Sequence, residues 1–432
     1  MSPTFRALRI RNYRVYAAGA LVSNVGTWMQ RVAQDWLILQ LTGSGTALGI
    51  TTGLQFLPAL LLSPLAGVVA DRFPKRQVLR LTQVAMAVPA LVLGVLAVTG
   101  SAQPWHVYVI AFVFGVGTAF DAPARQSFVV EMVGRDDLAN AVGLNSASFN
   151  SARLVGPALA GVLIAAGGSG VAATGWVILA NALSYLAVLG SLQMLDPDHL
   201  HPAPVAPRGR GAVRAGARYV RSRPDLVLIL ATVFFVGTFG MNFQMTSALM
   251  ATDVFDKGAG EYGLLGSVMA IGSLGGALLA ARRERPRVRL VVLAGLVFSV
   301  VEVAAGLMPT YASYAVILPL LGLTALTMVT AANATIQLTT EPAMRGRVAA
   351  LYLMIFMGGT PLGSPLIGWV GETFGARWTL IGGGLMTAAG ITVSVVLAAR
   401  GLRARHQPVL PLARDVLHLR RQQASEDVDL AS

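Results

Sequence analysis

The sequence predicts an all-α polytopic membrane protein with twelve transmembrane helices in two six-helix halves. Three observations carry this. The first is composition: of 432 residues, 55% are hydrophobic and 12% charged, about half the charged share usual in soluble domains, and the mean hydropathy is +0.65. The second is twelve apolar stretches, each near the roughly 20 residues needed to cross a bilayer. The third is the placement of the 33 Lys and Arg residues.

The apolar stretches fall at residues 15–40, 46–70, 78–99, 105–124, 139–166 and 174–195, and again at 225–250, 261–281, 288–308, 312–336, 346–370 and 376–400. With the N-terminus placed inside, the segments 1–14, 71–80, 125–138, 196–223, 282–289, 341–347 and the tail from Arg400 hold every cation but four. Lys257 and Arg377 fall outside, and Arg31 and Arg153 fall within spans. Cytoplasmic loops carry the excess of Lys and Arg, and a wrong span count would scatter these charges over both sides. The expected arrangement is therefore a cell (inner/plasma) membrane protein with both termini cytoplasmic. Residues 1–14 are basic, but the apolar stretch after them is a full-length span without an early small-residue cleavage site, so no cleavable signal peptide is read there.

The division is 1–195 for the N-terminal half, 196–223 for a Pro-, Ala- and Arg-rich cytoplasmic connection, 224–400 for the C-terminal half and 401–432 for a cytoplasmic tail. The connection reads as a tether. The halves resemble each other weakly. Each has a basic turn after its second helix (Asp71–Arg76 and Arg282–Arg287) and a Gly/Pro-rich fifth helix (Gly156–Gly161 and Gly363–Gly368). Such repetition marks secondary transporters, whose sites lie between repeats near the midplane.

Several functions are excluded. The chain has no Cys, so there is no disulfide scaffold, thiolate metal site or Cys nucleophile. The five His (His106, His199, His201, His406, His418) avoid the long apolar runs. A P-loop needs Gly-Lys-[Ser/Thr], and the two lysines, Lys75 and Lys257, follow Pro and Asp. The net charge of +13 belongs to loops that face anionic lipid and gives no reason to expect nucleic acid. The sequence points to no enzyme, no cofactor and no metal, and to energy from a gradient or from a partner protein.

Residues Gly67-Val68-Val69-Ala70-Asp71-Arg72-Phe73-Pro74-Lys75-Arg76 resemble the loop motif of the major facilitator superfamily, with Pro74 where the family usually has Gly. The resemblance implies that Gly67, Asp71, Arg72, Lys75 and Arg76 form a charge cluster that latches the cytoplasmic ends of the two halves. A carboxylate among cations at a helix end can make charge-assisted bonds in either of two packings. Gly143, Gly156, Pro157 and Gly161, with Ala152 and Ala160 at small positions, resemble the antiporter motif of family exporters. The fourth helix departs from the family: Gly115-Val116-Gly117-Thr118-Ala119 is preceded by Ala111 where exporters often carry the Arg linked to proton coupling. Asn12-Tyr13-Arg14, Gly26-Thr27-Trp28-Met29-Gln30 and the stretch from Asp121 through Arg125 and Gln126 to Arg153–Gly156 resemble the transmembrane secretion effector branch, which includes enterobactin exporter-like proteins.

Ionisable groups inside a span are functional candidates because each is costly there. Arg31 and Asp35 stand i,i+4 on one face of the first helix and are expected to form a proton-responsive or static pair. Asn24, Thr27 and Gln34 extend that stripe. Asn150 and Arg153 lie in the fifth helix, Arg153 facing either an anionic substrate group or one of Asp121 and Glu131. Glu302 lies in the ninth helix, and Asn242, Gln244, Thr246, Thr324, Thr327, Asn333 and Gln337 are neutral candidates. The expected function is proton-coupled export of small amphipathic organic compounds, drug- or siderophore-like, by a monomer. An uptake or uniport carrier of the same fold, or a non-transporting sensor, is the alternative.

Overall fold

The computed structural model describes residues 3–134, 136–201, 212–281 and 287–404. Arg135, most of the basic turn at 282–286, the middle of the central connection and the tail from 405 lie outside the described residues.

The first six long helices are α1 (Arg11–Thr42), α2 (Gly45–Arg72), α3 (Lys75–Val98), α4 (Pro104–Val133), α5 (Leu138–Ala166) and α6 (Val171–Gln193). A short helix, α7 (Ala212–Ser222), follows in the connection. The seventh crossing is composite. It runs through α8 (Pro224–Phe235), a π-helical segment (Val236–Gly240), α9 (Phe243–Leu249) and a second π-helical segment (Met250–Val254). Then come α10 (Ala259–Ala281), α11 (Val288–Gly306), α12 (Tyr311–Thr339), α13 (Pro342–Phe374) and α14 (Ala376–Ala404).

Eleven of these crossings are both long and apolar enough to span a membrane. The twelfth, α1, has 32 residues, about 48 Å at 1.5 Å per residue. Its Asn24, Gln30, Arg31, Gln34 and Asp35 lower its hydropathy, and all but Arg31 are buried. The helix that looks least like a span thus turns its polar stripe into the protein.

By the alternation of the crossings, the described basic turns at 71–80 and 341–347 fall on one face, here the basic face, and Lys257 and Arg377 on the opposite one. On the basic face the start of α1 is tied down. Asn12 exchanges two hydrogen bonds with the Asp196 backbone, at 2.8 and 3.0 Å, and Tyr13 donates to the Ala141 carbonyl at 2.8 Å. Part of the Asn12-Tyr13-Arg14 motif is therefore scaffold. The start of α7 lies outside the described side chains, but Gly216 packs on Arg347 of α13, and Arg223 reaches Tyr219 and the Thr339 carbonyl.

The two sets of helices meet along α2–α13 and α5–α10. Gly45, Gly49 and Gly53 recur every four residues on α2, facing Gly368, Ser364 and the Pro361/Pro365 pair of α13. A Cβ on Gly49 would lie 2.3 Å from the Ser364 carbonyl oxygen. Small residues spaced this way let helix backbones touch in lipid, where no hydrophobic force drives them together.

Candidate functional site

The seventh crossing breaks at Met241 and Asn242, whose backbone leaves helical geometry between the first π-helical segment and α9. Wider helical turns and interruptions are tolerated in a membrane where they line a cavity. Such a cavity, of about 170 Å³, lies at this break. The first set supplies Trp28 and Arg31 from α1, Thr52 and Phe56 from α2, and Arg153 and Pro157 from α5. The second set supplies Asn242, Gln244 and Ser247 beside the break, Tyr262 and Met269 from α10, and Thr360 from α13.

Trp28 organises the floor. The Arg31 guanidinium stands 4.9 Å from its ring and 5.5 Å from the Phe56 ring, and the Arg153 guanidinium stands 5.7 Å from the Trp28 ring. Gly156 makes this possible, because a Cβ there would be 2.6 Å from Trp28 Cβ. Pro157, one residue on, cannot donate to the Arg153 carbonyl, and its ring lines the cavity. Gly161 lets α5 meet α10 at the Ala259 carbonyl.

The expected Arg31–Asp35 pair does not form: no ion pair within 4 Å joins them among the described residues. Asp35 instead accepts a 3.0 Å hydrogen bond from the Tyr262 hydroxyl, across the two sets, and Trp36 stacks on the same Tyr262 ring at 6.2 Å. Arg31 keeps its Nε buried without a hydrogen-bond partner. Arg153 meets neither expected carboxylate. Asp121 is taken by Arg125 at 2.7 Å and Glu131 by Lys75 at 3.0 Å. Arg125 stands one turn from Asp121 on α4, whereas Lys75 reaches Glu131 from α3.

Asn24 also belongs to another site. It accepts from Arg125 at 3.0 Å, while Asp121 accepts from Thr82, Gln83 and Arg125. This network locks α1, α3 and α4 together. Arg125, expected in a loop, lies within α4. Gln34 is buried off the cavity with its Nε2 unpartnered, and Asn150 bonds back to the Ser146 carbonyl at 2.8 Å. Asn242 lines the cavity, donating to Thr238 O at 3.0 Å with its Oδ1 unpartnered. Glu302 is wholly buried outside the cavity, its oxygens facing the positions of Gly240 and Gly383 and without hydrogen-bond partners. Gly143 has nothing within 4 Å of its Cβ position, so it makes no close helix approach.

In the loop motif, Lys75 holds Glu131 at 3.0 Å, whereas Arg76 and Arg80 donate to the last carbonyls of α6, Leu192 and Gln193. Cations at a helix C-terminus satisfy its orphan carbonyls and complement its dipole. These bonds stay within the first six helices. Gly67 and Asp71 lie in α2, and Arg72 ends it, exposed. On the opposite face Ser44 and the Thr46 amide both bond Glu372 of α13, at 2.6 and 2.9 Å, joining the two sets.

The sequence did not mark Phe56, Met269 or Tyr262. A Tyr one turn into α10 carries no distinguishing signal, and only the α1–α10 approach gives it a role.

Two six-helix sets with a cavity between them make up the major facilitator fold. The nucleoside transporter NupG shares it with a TM-score of 0.70 at 12% identity, covering 89% of this chain and 99% of that one. The chain belongs to the transmembrane secretion effector family, whose pattern it matches over residues 2–426. It is 26% identical to the multidrug efflux pump Tap of Mycolicibacterium fortuitum over 84% of this chain and 90% of Tap. It is 24% identical to the enterobactin exporter EntS of Shigella boydii over 93% of this chain and 94% of EntS. A shorter match, 32% identical, covers 33% of this chain and 36% of the staphyloferrin A transporter of Staphylococcus aureus.

Proposed function

We propose that this membrane transporter exports small amphipathic organic compounds by alternating access, with protons moving inward in exchange. The observation that supports the reading best is the Tyr262–Asp35 hydrogen bond, which joins α10 to α1 beside the cavity. A carboxylate bonded across the two sets links its protonation to whether those sets stay together. In this reading residues 1–195 and 224–400 are the two moving units, with 196–223 as tether and 401–432 as tail. The basic face is cytoplasmic, in the inner/plasma membrane, and the cavity is sealed from the other side by Glu372 with Ser44 and Thr46, and by the α2–α13 glycine seam. Efflux relatives support the outward direction.

The test is flux in proteoliposomes under an imposed pH gradient, using compounds whose distribution differs between deletion and wild-type cells. Wild-type flux should follow the gradient, and Asp35→Asn should make it indifferent. Gradient-dependent flux that survives Asp35→Asn unchanged would falsify the coupling role of Asp35. The absence of any redistributed compound would reject export.

A further inference from the structure

We infer that the central cavity is built for organic anions, with a carboxylate or similar group held between Arg31 and Arg153 and an attached ring against Trp28, Phe56 and Tyr262. The inference rests on reading this cavity as the transport site and adds the charge class of what it takes.

Charge balance around the cavity carries the inference. Of the cavity-lining side chains, Arg31, Arg153 and Tyr262 are the titratable ones. Asp35 is the carboxylate that attracts Arg31, while Arg153 repels it. The cavity therefore carries two guanidinium charges against one carboxylate, and that carboxylate is bonded to Tyr262 instead. Asp121 and Glu131, the other acids on the neighbouring α4, are occupied by Arg125 and Lys75. Among the described residues neither Arg31 nor Arg153 makes a hydrogen bond or ion pair, and Arg31 Nε is buried. Their partners are aromatic faces. A cation–π contact stabilises by less than the cost of withdrawing an ion from water. The faces alone leave both cations under-compensated.

A bound anion closes the gap with charge-assisted bonds to two planar donor groups that share one aromatic support. The remaining lining suits the rest of such a molecule. Phe56 and Met269 are apolar, and Asn242 Oδ1 and Gln244 Nε2 are buried polar atoms without partners. A volume of about 170 Å³ is below the roughly 300–1,000 Å³ of sites for drug-sized ligands. In this conformation it fits one ring-bearing acid, or one acidic arm of a larger compound.

The discriminating measurement is equilibrium binding of three matched probes to the purified full-length protein: 2-naphthoate, the neutral 2-naphthylmethanol and the cationic 2-naphthylmethylammonium. The anion should bind about tenfold or more tightly than the cation, as expected for charged hydrogen bonds. Arg31→Gln and Arg153→Gln should each remove about tenfold in naphthoate affinity and leave the alcohol unchanged, which also shows that the variants are folded. Arg153→Lys should restore part of the loss. Equal or tighter binding of the ammonium probe, or naphthoate affinity indifferent to both Arg→Gln changes, would overturn the inference. Binding is read without flux: naphthoate selectivity in a protein that transports nothing would sink the transport reading and leave this one standing. Efficient transport with cation-selective binding would do the reverse.

Discussion

Arg125 and the pair Arg31/Arg153 are all arginines inside membrane helices, yet their surroundings are opposite. Arg125 meets Asp121 through two nitrogens and Asn24 through a third, and Asp121 is further bonded by Thr82 and Gln83. Arg31 and Arg153 meet only rings. A buried network in which the carboxylate and every guanidinium nitrogen are bonded fixes helices to one another. A cation left without a hydrogen bond beside a cavity is open to a partner from outside the chain. Intramembrane charge alone therefore does not mark a site; the state of its bonding does.

Breaking the Arg125–Asp121 network should have the largest effect. Asp121→Ala leaves Arg125 buried without its counter-ion, a loss of about 3–5 kcal/mol by analogy with other broken buried pairs. A steep fall in the detergent melting temperature is expected, and an unchanged melt would show that Arg125 finds water. The cavity arginines should behave in the opposite way. Arg153→Gln is expected to hold or raise the melting temperature while flux of acidic compounds falls about tenfold. If it unfolds the protein instead, Arg153 belongs to the scaffold and the contrast fails.

The seam between the helix sets offers a third test. Gly49→Val places side-chain atoms where the Ser364 carbonyl lies 2.3 Å from a Cβ, so closure of the opposite face should be blocked. The natural chain has no Cys, so a single cysteine at Thr52 reports this cleanly. Its labelling from the opposite face should rise several-fold in Gly49→Val, and unchanged labelling would mean that the seam does not seal the cavity. Tyr262→Phe removes one cross-set hydrogen bond, about 1 kcal/mol, and should raise the same labelling more modestly.

The smallest effect belongs to the basic face. The Asp198 amide and the His199 ring hold the Asp196 carboxyl below the usual carboxylate range. That stabilisation is present above the ordinary Asp value and is lost as the pH falls through the depressed one. Asp196 is solvated there, so Asp196→Asn should leave the neutral-pH melt unchanged, measured beside wild type across that acidic window.

Much of the fold was legible in the sequence because lipid imposes two simple constraints: apolar stretches of bilayer length and cations on one side. α1 was legible too, although its polar stripe removes it from the helices that are apolar enough to span. Candidate residues were legible as types but not as partners. The i,i+4 spacing of Arg31 and Asp35 permitted a pair, but Asp35 bonds Tyr262, 227 positions away, because α1 meets α10 at that depth. Asn24, Gln34, Asn150 and Glu302 carried the same sequence signal as Asn242, and only Asn242 reaches the cavity.

The sequence by itself determined that the chain lives in a membrane, where its crossings fall and that Arg31, Asp35, Arg153 and Glu302 lie within them, because transfer from water to hydrocarbon depends on local composition. The tertiary structure decided which of those charges are neutralised and which are not. Arg125 finds Asp121 on its own helix, but Glu131 takes Lys75 and Asp35 takes Tyr262 from helices that pack alongside, and which neighbour arrives is settled by shape, by the glycines that admit it and by the break in the seventh crossing, none of which a single helix can specify.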